Sequence, residues 1–361
     1  MKTQSKQLLT LMAFLLPMLL LAQIDGRGYL PDRDQGNLEF LSVDIAPQNA
    51  GIAGAGVANP QGGFLQNSAL LIQQSDRFRA SLQYSPWLRA LGIPDFHYGY
   101  ASFAWKIDEQ QAIGFTYQQF SSFWREFFFQ PINPFHQMGA RFHYARRQQH
   151  ISWGVSAAYI EAGHDYRGGL QKSRGLSLSA GLNAHYQFWG ANWDFAMSLS
   201  DLGPRQSVTP DFVGSTEQFL YLPTTLRLGG RTALQLTQAK LFIHYQLEHL
   251  LLPRDLTEIN SGWLAPFQSI QDAPRGENWQ EWQYKLGLEW AEIGLAERFS
   301  LSLRLGWWYE HPDQGGRHLA TTGFSLHHQQ LSLSASYWYG LQPNLPLQNT
   351  MTVGLSYGFG Q

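Results

Sequence analysis

The 361 residues contain no cysteine. That removes disulfides, thiolate zinc sites, cysteine nucleophiles and the lipid-bearing cysteine of a bacterial lipoprotein together. Charge is scarce as well: Asp, Glu, Lys and Arg make up 14 %, against about 25 % in an ordinary globular chain. The formal net charge is only −2, so no basic field invites nucleic acid. Beyond Leu21 the chain has no run of the ~18 apolar residues that a membrane-spanning helix takes. The mean hydropathy of −0.28 agrees with that. Disorder needs few aromatics and high net charge, yet 13 Trp, 16 Tyr and 23 Phe are present, with 35 Gly. A low-charge chain rich in aromatics and glycine fits an outer-membrane β-barrel.

The first 22 residues read as a secretory signal peptide. Lys2 and Lys6 precede an apolar stretch from Leu8 to Leu21, and the small Ala22 follows as the cleavage residue. Thereafter the hydrophobic period is two. In 349–360, Met351, Val353, Leu355, Tyr357 and Phe359 alternate with Thr350, Thr352, Gly354, Ser356 and Gly358. In 298–311, Phe299, Leu301, Leu303, Leu305, Trp307 and Tyr309 alternate with Ser300, Ser302, Arg304 and Gly306. A strand sorts such sets onto two faces and a helix does not.

Fourteen such segments run at 78–87, 97–108, 110–122, 136–148, 150–162, 173–189, 191–202, 224–236, 239–251, 280–291, 298–311, 318–328, 331–340 and 349–360. The number is even, and many segments have the length of a tilted membrane crossing. Links after the even-numbered segments are mostly tiny: Glu109, Gln149, Gly190, Thr237–Gln238, Glu292–Glu297 and Gln329–Gln330. Links after the odd ones are mostly longer: 88–96, 123–135, 163–172, 203–223, 252–279, 312–317 and 341–348. Periplasmic turns are short and extracellular loops long in bacterial barrels. The fold class is therefore all-β, a 14-stranded antiparallel outer-membrane β-barrel over 78–361, in the outer membrane of a Gram-negative bacterium.

Residues 23–77 are not strand-like. Gly51, Gly54 and Gly56 fall in a small-residue run, and Asn67 opens the segment Asn67-Ser68-Ala69. Small residues let backbone pack closely, so 23–77 reads as an N-terminal hatch or plug. The glycine spacing is not that of a dinucleotide fingerprint. Trp153, Trp193, Trp282, Trp290, Trp307 and Tyr337 lie near strand ends, as girdle aromatics do. Arg141, Asp194, Arg227, Arg231, Glu248, Lys285, Glu289 and Arg304 sit within strands. Charge is costly on the lipid face, which points these side chains into the lumen. Both signs occur in similar numbers. That favours pairing within a plugged barrel over the lining of a conduit.

Chemistry of other kinds has little support. No nucleophile elbow and no HExxH occur, and His327 and His328 face opposite sides of one strand. The residues show no catalytic set, cofactor motif or metal-ligand spacing, so the reading is of a protein that is not an enzyme. Exposed aromatics with Arg make interface hot spots, and the long links carry them. Trp124, Arg125, Phe127, Phe128 and Phe129 lie in one, Phe212, Phe219 and Tyr221 in a second, Trp263 and Phe267 in a third. These are candidate partner-binding residues. The alternative is that those of the first link dip into outer-membrane lipid and lipopolysaccharide, or cover the barrel mouth.

The small-residue run followed by Asn67-Ser68-Ala69 resembles the N-terminal hatch of FadL-type barrels, with Ser68 where that pattern has proline. More specifically, the chain resembles the PorV family of the type IX secretion system. The resemblance is carried by Phe40-Leu41 with Ile45-Ala46-Pro47, by Gly51–Ala58, by Tyr84-Ser85-Pro86-Trp87-Leu88-Arg89 and by Leu222-Pro223-Thr224-Thr225-Leu226-Arg227-Leu228-Gly229. It continues through Leu250–Pro253, Asp272-Ala273-Pro274, Gly306–His311 and the last strand. The arginine that usually follows the proline of the hatch motif is missing, with Asn49 nearby.

The resemblance implies a non-catalytic shuttle. Such a barrel receives cargo by its C-terminal signal domain from a large translocon barrel of the SprA or Sov kind. It then passes the cargo to a surface attachment complex with a PorU-like sortase. The alternative is a FadL-like transporter of hydrophobic small molecules, which needs an apolar tunnel and a movable hatch. A lipid-modifying enzyme would need a Ser–His pair at the outer rim.

Overall fold

When polar and apolar residues alternate along a segment, extended backbone puts one set against lipid and the other inside. Neighbouring segments then pair, and only a closed ring leaves no unpaired edge in the membrane. The computed structural model describes residues 41, 43–87, 96–122, 136–166, 169–204, 206–208, 218–220, 222–236, 239–251, 267, 278–312, 316–342 and 347–360. It shows that ring: fourteen antiparallel strands in one closed barrel.

In chain order the strands are β1 (Phe78–Trp87), β2 (Phe96–Lys106), β3 (Gln111–Ser122), β4 (His136–Gln148), β5 (Ile151–Tyr166), β6 (Gly169–Phe188) and β7 (Ala191–Leu202). Two short strands outside the ring, β8 (Gln206–Val208) and β9 (Gln218–Leu220), pair with each other. The wall resumes with β10 (Thr225–Gln235), β11 (Lys240–Leu250), β12 (Trp282–Ala296), β13 (Phe299–Tyr309), β14 (His318–His328), β15 (Leu331–Gly340) and β16 (Thr350–Phe359). β7 pairs with β10, and β1 closes on β16 from Phe78↔Phe359 to Tyr84↔Val353.

Tight turns gather at one end. Trp189 and Gly190 both have positive φ, 54° and 72°, the conformation of a two-residue hairpin whose twist suits the strands it joins. At the other end two expectations are revised. The link expected at 163–172 is largely strand, because β5 and β6 stay paired from Ile151↔Ala184 to Tyr166↔Gly169. β7 follows β6 only as far as Leu178↔Leu202, so this hairpin stands above its neighbour. The pair β8–β9 occupies part of what reads from sequence as loop 203–223.

The outer face carries Leu82, Phe142, Leu176, Leu305 and Leu333, all well exposed. A soluble protein would not leave such a belt open; lipid covers it. Ring stacks mark its edges, Phe78 on Trp105 and Phe359 and Phe188 on Trp193 at the tight-turn end, Trp307 on Tyr309 at the other. Trp290 is exposed on this face, and Trp153 and Trp282 are half-buried.

Candidate functional site

Residues 43–74 run through the lumen, and most of them are buried. Their seat is cut by glycines. Inward positions on β3, β5, β6, β12, β13 and β14 are Gly114, Gly154, Gly181, Gly287, Gly306 and Gly323. A Cβ at Gly114 would lie 2.9 Å from the Phe64 ring, and one at Gly323 3.1 Å from the Gly51 Cα. At Gly154 it would overlap the backbone of Ser68 and Ala69, at Gly287 Ile52 and at Gly306 the nitrogen of Ala53. The wall thins where the hatch backbone passes.

Hydrogen bonds fasten the same contacts. Ala53 N donates to Thr321 Oγ1 at 3.0 Å, and that hydroxyl donates to the Gly51 carbonyl. Val57 N donates to Gln246 Oε1 at 2.9 Å. Asn67 Nδ2 donates to the carbonyls of Val57 and Leu182 while its Oδ1 caps Ala69 N. Gln48 donates to Ser334, Gln73 to Ser152 and Arg147 to the Ile72 carbonyl. The Ser68 hydroxyl lies 2.9 Å from His143 Nδ1, whose other nitrogen meets Thr116. This Ser–His pair is buried at mid-lumen with a threonine where a triad would have an acid. It fixes the hatch and does not form a rim nucleophile.

Within the hatch, Asn49 is the hub. Its amide donates to Asp44 Oδ2 at 2.6 Å and to the Gly62 carbonyl, and its oxygen accepts from Asn59. Gly56 and Gly62 pack directly against that amide. Gly54, at φ 77°, would bring a Cβ 3.7 Å from Lys285 Nζ. Asp44 also accepts from Ala46 N and Gln66. Burial pushes its carboxyl above the ordinary carboxylate range, with the three hydrogen bonds pulling the other way.

The eight charged strand residues are buried or nearly so, and each has an opposite charge. Glu248 accepts from Arg227 at 3.0 Å and Lys285 at 2.8 Å. Glu289 joins Arg304 at 2.5 Å and His244 at 3.2 Å. Arg231 meets Asp194 at 2.6 Å, and Arg141 meets Asp201 at 2.6 Å. A buried charge without a partner is strongly destabilising, and here every one of these buried cations is held against a carboxylate. Asp201 is a residue that sequence reasoning missed. It sits beside a β6–β7 register shift in left-handed backbone, φ 56°, which turns it inward toward Arg141. Asp44 and Asn49 were missed for lack of a local motif. The wall glycines had a visible signal, since they fall in the polar set of each alternating strand.

At the long-loop end, aromatic and aliphatic side chains cover the hatch. Trp87 meets Tyr98, Phe120 and Trp338 edge-on, and Trp308 meets Trp338. Lys285 Nζ lies 4.2 Å from the Trp308 ring centre. Of the candidate partner-binding residues, Trp124, Arg125, Phe127, Phe128, Phe129, Phe212, Tyr221 and Trp263 lie outside the described residues. Phe219 falls in β9, and Phe267 is half-buried. Among the described residues no group of His, Asp or Glu is arranged to hold a metal.

No protein-family model matches the chain, and no curated protein matches it. Solved structures do. A mutant of the monoaromatic hydrocarbon channel TodX aligns at a TM-score of 0.53 with 9 % identity, over 88 % of this chain and all of that one (100 %). The toluene transporter TodX of P. putida aligns at 0.46 and 11 %, over 86 % and 98 %. CdiB from Acinetobacter baumannii aligns at 0.42 and 11 %, over 79 % of this chain and 60 % of that one. The fold is that of the FadL-like outer-membrane barrels, and the chain is an integral outer-membrane protein.

Proposed function

We propose that this barrel is a non-catalytic docking protein of type IX secretion. It takes the C-terminal signal domain of cargo at a large translocon barrel and delivers the cargo to the attachment complex with its PorU-like sortase. The observation that carries the reading is the closed lumen: a hatch hydrogen-bonded to β4, β5, β6, β11, β14 and β15 leaves the loop end as the working surface. The sequence resemblance to the PorV family supplies the partners.

A second reading has its own support. The TodX likeness is to a hydrocarbon channel, and aromatic rings crowd the mouth at Trp87, Phe120, Trp308 and Trp338. On that reading the protein is a FadL-like transporter of hydrophobic small molecules. The fold likeness favours this reading more directly than it does the first; the polar, ion-paired lumen opposes it.

Purification of the tagged barrel from its native outer membrane in mild detergent separates the two. Copurified giant barrel, or surface proteins sharing a C-terminal domain, supports docking. A solitary barrel carrying bound fatty acid or aromatic hydrocarbon overturns it in favour of transport.

A further inference from the structure

Arg79 differs from the five paired cations of the lumen wall. Arg141, Arg227, Arg231, Lys285 and Arg304 each meet a carboxylate. Arg79 lies on β1 near the tight-turn end and is half-buried against the hatch. Among the described residues no carboxylate forms an ion pair with it. Asp76 packs over Gly358, the β16 partner of Arg79, and attracts it only from beyond ion-pair range. A guanidinium carries five donors and no acceptor, and it cannot shed its charge. Held inside a barrel, it calls for an anion.

Arg79 faces a polar cleft between hatch and wall. Gln48, Gln61, Gln74, Ser81 and Ser102 line it too, no carboxylate does, and its cavity measures about 10 Å3. That volume suits one water-sized particle, too small for a phosphate or a carboxylate group. Gln48 and Gln74 are buried, yet their side-chain oxygens and that of Gln61 receive no hydrogen bond from the protein. Turning a primary amide about its last carbon–carbon bond exchanges its oxygen for two N–H donors. Gln48 keeps its contact with Ser334 either way, because a hydroxyl both donates and accepts. The amides can thus aim N–H groups into the cavity beside the guanidinium, and the serine hydroxyls can turn their protons the same way.

We propose that the cleft binds a monatomic anion of the size of chloride, as the counter-charge of Arg79. The anion stands where a carboxylate stands beside each of the other five cations. A water in the same place would satisfy the amides and leave the guanidinium unmatched, and hydrogen bonds to a charged acceptor are roughly twice as strong as those to a neutral one. This does not depend on which of the two functional readings holds.

The test uses the full-length barrel in a neutral detergent, with chloride as the probe and gluconate, too large for the cavity, as its replacement at equal ionic strength. The line width of the chloride magnetic resonance reports exchange with a bound site. The parent should broaden the line, and the excess should saturate as chloride is added. Arg79→Gln should lose most of that excess. Ser81→Leu, which fills the cleft and leaves Arg79 in place, should lose it too, so the test survives if Arg79→Gln fails to fold. Arg174→Gln, at an exposed arginine paired with Glu161, should keep it. Folding of each variant is checked by heat-modified gel mobility. By the same readout the parent should unfold at a higher temperature in chloride than in gluconate, and that difference should vanish in the two cleft variants. Equal broadening by the parent, Arg79→Gln and Ser81→Leu would mean an adventitious ion only and overturns the proposal. No saturable broadening by the parent, with equal unfolding temperatures in the two salts, overturns it as well, because the cleft would then hold water alone.

Discussion

The two sides of the lumen use different means to hold one hatch. On the side of β10–β14, charge pairs such as Arg304–Glu289 and Lys285–Glu248 stand next to wall glycines that admit the hatch backbone. On the side of β1 and β2, short polar side chains such as Ser81 and Ser102 face glutamines with spare acceptors. The first side is specified atom by atom and tolerates little. The second combines a small polar cleft with apolar packing, Trp87, Tyr98 and Tyr100 lying in one buried cluster with Val43 and Ile45 of the hatch. Fit and charge are therefore separable here: wedges and charge deletions should hurt on one side and be absorbed on the other.

The largest expected effect comes from stranding a buried charge. Glu289→Ala leaves Arg304 without its carboxylate and should cost about 3–5 kcal/mol, read as a lowered denaturant midpoint of the reconstituted barrel. A midpoint near that of the parent would show that the Glu289–Arg304 pair does not stabilise the barrel. Next is shape. Gly306→Val drives a side chain into Ala53 and should cost about 1–3 kcal/mol, with the hatch becoming open to protease while the barrel stays folded. The matching change Ser102→Val on the cleft wall should stay within about 0.5 kcal/mol. Equal losses from the two would erase the contrast.

Asp44 gives a pH test. Its pKa is raised in the folded protein above the ordinary 3.8. The neutral carboxyl is thus the form the hatch prefers. Its contribution is fully present below pH 3.8 and is lost as pH rises through the raised value. Protease resistance of the hatch should fall over that window, and Asp44→Asn should flatten the profile. A resistance that instead rises with pH would refute the assignment. The smallest effect is at Gln83→Leu. Removing an acceptor that has no donor should leave stability unchanged within about 0.5 kcal/mol, by the same denaturant measurement.

Much of the wall was legible because a membrane barrel obeys a period-two rule along its whole length. Arg304 and Gly306 sit in the polar set of β13, and both face inward. What each inward residue meets was not legible. Glu289 and Arg304 lie on paired strands at Glu289↔Arg304, but Arg141 finds Asp201 only through a local register shift that no alternation predicts. The expected loop at 163–172 became strand because pairing between β5 and β6 continues past the belt of lipid-facing residues. The hatch has no periodicity at all. Its order comes from Asn49 and Asp44, whose partners stand up to 22 positions away in sequence.

The hatch is the part of the chain that runs directly into β1, and β1 is the strand that closes on β16. Its fastenings on β11, β14 and β15 belong to strands that come much later in the chain. Its seat is therefore incomplete until nearly all of the chain is in place. Assembly has a built-in order: the earliest segment must wait, unanchored on one flank, until the last strands arrive, and the ring shuts beside it.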